Sequence, residues 1–112
     1  MLIYKILRAE EWAALEAKGE TQGAPVDIAD GYIHFSTAEQ APETAAKWFA
    51  EETDLILVAF ETDDLGETLV WEPSRGGALF PHLYGPLKHA HVVWSKPLPW
   101  RDTAHVFPDE MT

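Results

Sequence analysis

The chain has 112 residues, of which 46% are apolar and 24% charged, and this length and composition predict a single globular domain spanning residues 1–112. The 8 Lys and Arg residues oppose 19 Asp and Glu residues, and the net charge of −11 argues against binding to nucleic acid or to an anionic membrane. The absence of cysteine excludes disulfides, iron–sulfur clusters and a thiol nucleophile. Because the N-terminal apolar run is too short for a signal peptide or a membrane span, we expect a cytoplasmic protein.

The start of the chain predicts short strands and one helix. Residues 2–7 are β-branched and aromatic, which is typical of a strand, and residues 9–18 predict an amphipathic helix that Gly19 ends. Residues 20–30 have no apolar period and predict a connecting loop. Residues 31–36 alternate between apolar and polar side chains, so they predict a second strand.

A second helix should begin just after that strand, because two capping signatures overlap there. Ser36-x-x-Glu39 pairs a hydroxyl with an acid three residues later, and the next pair is Thr37-x-x-Gln40. Pro42 lacks an amide hydrogen, so the helix either kinks at this residue or carries it in its first turn. The side chains with the spacing of a core-facing stripe are Ala41, Ala45, Trp48 and Phe49.

The second half of the chain predicts mainly strands. Residues 54–60 (DLILVAF) are apolar on both alternating faces, as in a central strand that is covered on both sides. Further strands are predicted at 67–72 and 90–94, and the tail after Lys96 should wrap the surface. Turns are predicted at 63–66 and 73–77. Because the helices are confined to the N-terminal half, this order favours the α+β class over alternating parallel units.

The block DGYIHFSTAEQ carries the most informative polar pattern. On a strand, Ile33 and Phe35 would point to one face, and Tyr32, His34 and Ser36 to the other. Three hydrogen-bonding side chains that end at a helix N-terminus suit an anionic or hydroxyl-rich ligand. The alternative is that the hydroxyl only caps the helix and that His34 is a partly buried histidine with local partners.

A second polar block, FPHLYGPL, lies far along the chain. In an extended segment His82 and Tyr84 would share a face, and the flanking prolines would limit the freedom of the backbone. The alternative is a turn in which these two side chains close local hydrogen bonds. Glu72, at the end of a predicted strand, is a candidate acid between the two blocks.

Several other kinds of site are disfavoured by the motifs. His89-x-His91 would place two imidazoles on one strand face, but no third ligand is fixed by spacing, so no metal site is predicted. The chain has no Gly-x-Ser-x-Gly motif, no Walker loop and no GxGxxG. A serine hydrolase and the common nucleotide-binding folds are therefore disfavoured.

Together, the motifs resemble a known family. YKIL, DGYIHFSTAEQ, LILV, WEPS, a GG pair and FPHLYGPL occur in the order and spacing of the small bacterial proteins of domain of unknown function family 952. The resemblance extends over about residues 4–93. It implies a fold similar to that of the ADP-ribosyltransferases: a small α+β unit with two packed, mainly antiparallel sheets that hold NAD in the cleft between them.

The resemblance also implies roles for individual residues. The reaction would cleave the nicotinamide–ribose bond of NAD and pass ADP-ribose to an acceptor, with NAD as substrate and no other cofactor. The residues given catalytic roles are His34, Glu72 and His82. The residues given substrate-binding roles are Ser36, Thr37, Gln40 and Tyr84. Glu72 does not sit in the Gln-x-Glu or Glu-x-Glu motif of the toxin-type transferases.

Two alternatives to such an enzyme remain open at the level of sequence. The first is a non-catalytic binding or interaction module that uses exposed aromatic side chains such as Trp94, Trp100 and Phe107. The second is action on an RNA 2′-phosphate, which the acidity disfavours unless basic side chains converge locally. The basic residues concerned are Lys5, Arg8 and Arg75.

Overall fold

Short helices and strands alternate along the computed structural model, which describes residues 1–74 and 76–111. The helices are α1 (Ala9–Lys18), α2 (Pro25–Asp30), α3 (Ala41–Trp48) and α4 (Thr62–Leu65), with 3-10 turns at Gly66–Thr68 and His89–His91. The strands are β1 (Leu2–Arg8), β2 (Glu20–Thr21), β3 (Ile33–His34), β4 (Leu55–Glu61), β5 (Leu69–Ser74), β6 (Ala78–Leu83), β7 (Leu87–Lys88), β8 (Val92–Leu98), β9 (Trp100–Arg101) and β10 (Ala104–His105).

The larger strands β1, β4 and β8 form an antiparallel sheet in the order β1-β4-β8. The apolar run predicted to be a central strand is indeed central. Val58 and Phe60 of β4 pack into one apolar cluster, whereas Leu57 and Ala59 pack into another on the opposite face. Because successive side chains of a strand point to opposite faces, β4 contributes to both clusters and is buried on both sides.

A second antiparallel sheet has the order β3-β6-β5. Ile33 and Leu83 of this sheet pack into the same cluster as Val58 of the first sheet. Backbone hydrogen bonds also join the two sheets, since the Tyr4 amide donates to the Ser36 carbonyl at 2.8 Å and the Ser36 amide donates to the Tyr4 carbonyl at 2.9 Å. The strand pairs β2-β7 and β9-β10 are separate, two-stranded and antiparallel.

The predicted helices are present, with changes at their ends. α1 has the predicted bounds, and Gly19 ends it in the left-handed region at φ 81°. α3 begins at Ala41 and carries Pro42 in its first turn, which was one of the two predicted arrangements. Trp48 was wrongly assigned to the core-facing stripe: it is 61% exposed and is the last residue of α3, whose buried residues are Ala41 and Ala45.

Other segments differ from the sequence prediction. The predicted loop 20–30 contains β2 and the short helix α2, and the predicted turn 63–66 falls mostly within α4. β6 was not predicted as a strand. The tail after Lys96 continues β8 and then forms the pair β9-β10. Of the predicted turn 73–77, residue 75 lies outside the described residues.

The α+β class with several antiparallel sheets is confirmed. Three of the four α-helices named above fall before residue 50, whereas α4 lies in the second half of the chain, where no helix was predicted. Within residues 1–74 and 76–111, we find no helix with the length and apolar composition needed to cross a membrane.

Candidate functional site

A cleft of about 580 Å³ opens among β1, α2, β3, α3 and β6. Three of the predicted site residues line it: His34, Ser36 and His82. Much of the remaining wall is apolar or aromatic, with Val26 and the exposed ring of Trp48 among its members. The cleft therefore combines a polar group of side chains with an apolar wall, as is typical of small-molecule sites.

His34 lies between two carboxylates. Its Nδ1 is 2.6 Å from Asp27 Oδ1, and its Nε2 is 3.0 Å from Asp30 Oδ2. The ring of His34 is thus held between two carboxylates at the cleft, with Nδ1 toward the buried Asp27 and Nε2 toward the more exposed Asp30.

Asp27 is the buried partner of this histidine, and it is 1% exposed. Its carboxylate accepts hydrogen bonds from Lys5 Nζ at 2.8 Å and the Ala24 amide at 2.8 Å. The backbone amide of His34 also donates to the Asp27 carboxylate at 3.0 Å, and Nδ1 of the His34 ring lies 2.6 Å from the same oxygen. Burial raises the pKa of Asp27, but the hydrogen bond with His34 and the charge of Lys5 outweigh burial and lower the pKa to about 2.

The backbone beside Asp27 has no room for another side chain. Gly23 adopts φ +108°, and a Cβ atom there would lie 2.6 Å from the Cβ of Asp27. Glycine at this position therefore allows the loop before α2 to close over the buried carboxylate.

His82 is fixed by a second carboxylate. Its Nδ1 is 2.8 Å from Glu72 Oε1, and the hydroxyl of Tyr84 donates to the same oxygen at 2.7 Å. The hydrogen bonds with Tyr84 and His82 lower the pKa of Glu72. The hydrogen bond to Glu72 in turn raises the pKa of Tyr84 to about 12. In a neutral imidazole, donation from Nδ1 to Glu72 would leave Nε2 of His82 able to accept a proton.

Tyr32 joins the two histidines. Its ring centroid lies 4.6 Å from that of His34, 4.2 Å from that of His82 and 5.3 Å from that of Tyr84. His34 and His82 are cross-strand partners of β3 and β6, and their ring centroids are 5.4 Å apart. Burial, followed by the charges of Asp30 and Glu72, raises the pKa of Tyr32. The two polar blocks of the sequence thus meet in one aromatic and imidazole cluster.

Ser36, Thr37 and Gln40, three of the predicted substrate-binding residues with hydroxyl or amide side chains, lie just before α3. Ser36 is buried, and its Oγ is 2.8 Å from Thr44 Oγ1. The Thr37 amide donates to Gln40 Oε1 at 3.1 Å and the Gln40 amide donates to Thr37 Oγ1 at 3.2 Å, so the reciprocal bonds of this predicted pair form. They close the turn before α3 and do not cap the helix, which begins at Ala41 with Gln40 as its N-cap, later than predicted. Gln40 Nε2 also donates to the Leu79 carbonyl of β6 at 2.7 Å.

The structure therefore separates the predicted site residues into three groups. His34, Ser36 and His82 line the cleft, whereas Glu72 and Tyr84 hold His82 in place. Thr37 and Gln40 form the turn that leads into α3. The histidines at 89 and 91 lie in a 3-10 turn rather than on a strand, and in the described part of the chain no three His, Asp or Glu side chains are arranged so that they could hold a metal ion.

Sequence reasoning missed Asp27 and Asp30 as site residues and considered Lys5 only for a nucleic-acid site. Signals for two of them are present: Lys5 interrupts an apolar strand and must find a partner, and Asp27 follows Pro25 at the spacing of an N3 acid. Lys5 and Arg8 both line the cleft but are ion-paired, with Asp27 and Glu52. Arg75, the remaining basic residue considered for an RNA substrate, lies outside the described residues.

The comparisons with known proteins agree with the resemblance of the motifs. The family described as "Protein of unknown function (DUF952)" matches residues 6–95. The crystal structure of protein CC0527 from Caulobacter crescentus is 51% identical with a TM-score of 0.91, and the match covers 95% of this chain and 94% of that chain. The solution NMR structure of CC0527 is 52% identical with a TM-score of 0.83, and covers 93% of this chain and 90% of that chain. No curated protein matches the chain.

Proposed function

The chain belongs to the DUF952 family of proteins of unknown function, and we propose that in this member the cleft binds a small nucleotide-like ligand, with NAD as the first candidate. One observation carries the proposal: side chains from two distant polar blocks converge on a single cleft, where His34 and His82 face each other across β3 and β6. A volume of about 580 Å³ falls in the range of roughly 300–1,000 Å³ that is typical of small-molecule sites.

The chemistry of the walls supports such a ligand. A planar base or nicotinamide ring can stack on aromatic side chains of the cleft such as Tyr32 or Trp48. Ribose hydroxyls can bond with the hydroxyl of Ser36 and with His34. Since most basic side chains of the cleft wall are already ion-paired, the sugar and the ring would contribute more to affinity than phosphate would.

The further proposal is that bound NAD is cleaved in an ADP-ribosylation-like fold. The bond between the nicotinamide nitrogen and ribose C1′ would break, its electron pair leaving with nicotinamide, while a nucleophilic acceptor attacks C1′ and gives its proton to His82. His34 would orient the ribose, and Glu72 would hold His82 and offset the developing positive charge. Thr37, Gln40 and Tyr84 would act by holding these groups in position.

The test is an NMR titration with NAD, ADP-ribose, AMP and adenosine. We expect progressive shifts of the His34, Ser36 and His82 resonances, and a loss of affinity of about two- to tenfold in His34→Gln, because the hydrogen bond between the imidazole and the ligand is lost. The buried His105, which lines a different cavity, serves as the internal control. If millimolar ligand leaves the three resonances unchanged, the proposal is wrong.

A non-catalytic binding module is the second candidate, favoured by the exposed apolar side chains Trp48 and Val26 at the cleft. The aromatic residues first considered for this role are less suitable, since Trp94 and Phe107 are partly buried in the core and Trp100 packs on His105 at 4.9 Å. Incubation with NAD separates the two candidates, because only the enzyme releases nicotinamide.

A further inference from the structure

We propose that Nε2 of His34 is the docking point for a negatively charged oxygen of the ligand, and that the Asp30 carboxylate occupies this point while the cleft is empty. The ligand group would be a phosphate or a carboxylate. This inference rests on the proposed function only in requiring that a small molecule enters the cleft.

The two carboxylates at His34 differ in how firmly they are held. The side chain of Asp27 is 0% exposed and is bonded to Lys5, to the Ala24 amide and to His34 itself. The side chain of Asp30 is 46% exposed, and within the described part of the chain its contact is with Nε2 of His34 at 3.0 Å. Asp27 is therefore a fixed part of the fold, whereas Asp30 can leave His34 by a rotation of its side chain.

Asp30 also lies in the right place to be displaced. It is the last residue of α2, it lines the cleft together with His34, and Gly31 follows it in the left-handed region at φ 88°. Exposed ion pairs contribute little free energy, so another oxyanion can take the place of this carboxylate at low cost. The exchange keeps the same charge next to Nε2, which is why an anionic oxygen fits the position better than a neutral group does.

The experiment compares Asp30→Ala with Asp64→Ala. Both variants reduce the net charge by one unit, but Asp64 is exposed on α4, away from the residues that line the cleft. Inorganic phosphate and acetate are the anionic probes, adenosine is the neutral probe, and the ring resonances of His34 report binding. Removal of the competing carboxylate should tighten anion binding about two- to fivefold in Asp30→Ala. Asp64→Ala should bind as the wild type does, and adenosine should not distinguish the three proteins.

The outcomes separate this inference from the proposed function. Equal or weaker anion binding by Asp30→Ala overturns the inference, as does equal tightening in Asp64→Ala. If adenosine or NAD binds the cleft but neither anion moves the His34 resonances, the inference fails and the proposed function stands. If the anions bind more tightly to Asp30→Ala while NAD and adenosine do not bind, the inference stands and the nucleotide proposal fails. A preference between phosphate and acetate identifies which oxyanion the site takes.

Discussion

Asp27 is a fully buried carboxylate that the fold supplies with partners on both oxygens. Moving a charge out of water is costly unless the charge is paired and hydrogen-bonded, and Lys5, Ala24 and His34 meet that requirement from three separate elements. This one residue therefore connects β1, the start of α2 and β3. It also fixes the ring of the histidine that faces the cleft, although Asp27 itself has almost no exposed surface.

Asp27→Asn should destabilise the protein by about 3–5 kcal/mol near neutral pH, because the charge of Lys5 is then left buried without its partner. The pH dependence should change as well. Because folding lowers the pKa of Asp27 from 3.8 to about 2, its contribution of about 2 kcal/mol is complete above pH 5 and is lost as pH falls through 3.8 towards 2. Urea unfolding between pH 7 and pH 2 measures both effects.

The decisive quantity is the difference in unfolding free energy between the wild type and Asp27→Asn at each pH. Glu61, Glu72 and Glu110 also have lowered pKa values, and they contribute equally to wild type and variant. The difference in unfolding free energy should therefore narrow on acidification. A constant difference from pH 7 to pH 2 would show that the Asp27 carboxylate carries no net stabilisation of this kind.

At the scale of elements, the cleft depends on the register of β3 and β6. His34 pairs with His82, and a shift of one residue would turn one of the imidazoles to the opposite face of the sheet. Gln40 helps to fix this register, because its side chain bonds the turn before α3 to the Leu79 carbonyl of β6.

Gln40→Ala should therefore lower the free energy of unfolding by about 1–2 kcal/mol, through the loss of the bond from the Thr37 amide and of the bond to β6. Glu39→Ala is the matched control, since Glu39 is exposed and belongs to the predicted box that does not form: the Ser36 side chain contacts Thr44 instead. Thermal or urea unfolding of both variants provides the measurement. A larger cost for Glu39→Ala would mean that the other capping box stabilises the helix.

The elements that could be predicted are those whose pattern is continuous in sequence. β1, α1 and β4 have long apolar or amphipathic runs, and the two faces of the block around His34 follow from simple alternation. The meeting of His34 with His82 could not be derived in this way. It depends on the pairing of β3 with β6, which is a long-range contact with no local signature.

The elements that were missed have local patterns that oppose their final structure. β6 is the middle strand of its sheet although it contains Pro81, a residue usually confined to edge strands. Pro81 still accepts a hydrogen bond from the Phe35 amide through its carbonyl at 3.0 Å. α2 is only six residues long and has no apolar stripe, and tertiary contacts of Asp27 stabilise it instead.

At the scale of the whole molecule, two apolar clusters share the same strands. Ile3 and Phe60 belong to the cluster that includes β3, whereas Tyr4 and Leu57 belong to the cluster that includes β8 and α3. A substitution that weakens the packing of either cluster therefore destabilises β1 and β4, and through these two strands it destabilises the other cluster. We propose on this basis that residues 1–112 unfold as one cooperative unit.

Leu57→Ala should lower the free energy of unfolding by about 2–5 kcal/mol, because it leaves a cavity beside a strand that is buried on both faces. Far-UV circular dichroism and tryptophan fluorescence should still report one coincident transition, in the variant as in the wild type. Val93→Ala is the control, since Val93 is 49% exposed on β8 and its truncation should cost well under 1 kcal/mol. Two separate transitions would contradict the cooperative unit.

The hydrogen bonds between Tyr4 and Ser36 join the two sheets through main-chain atoms alone. Most substitutions leave main-chain donors and acceptors in place, so mutation at these positions does not by itself remove the connection. A side chain that lines the cleft can therefore be replaced, and the choice of ligand changed, without removing the main-chain bonds that hold the two walls of the cleft together.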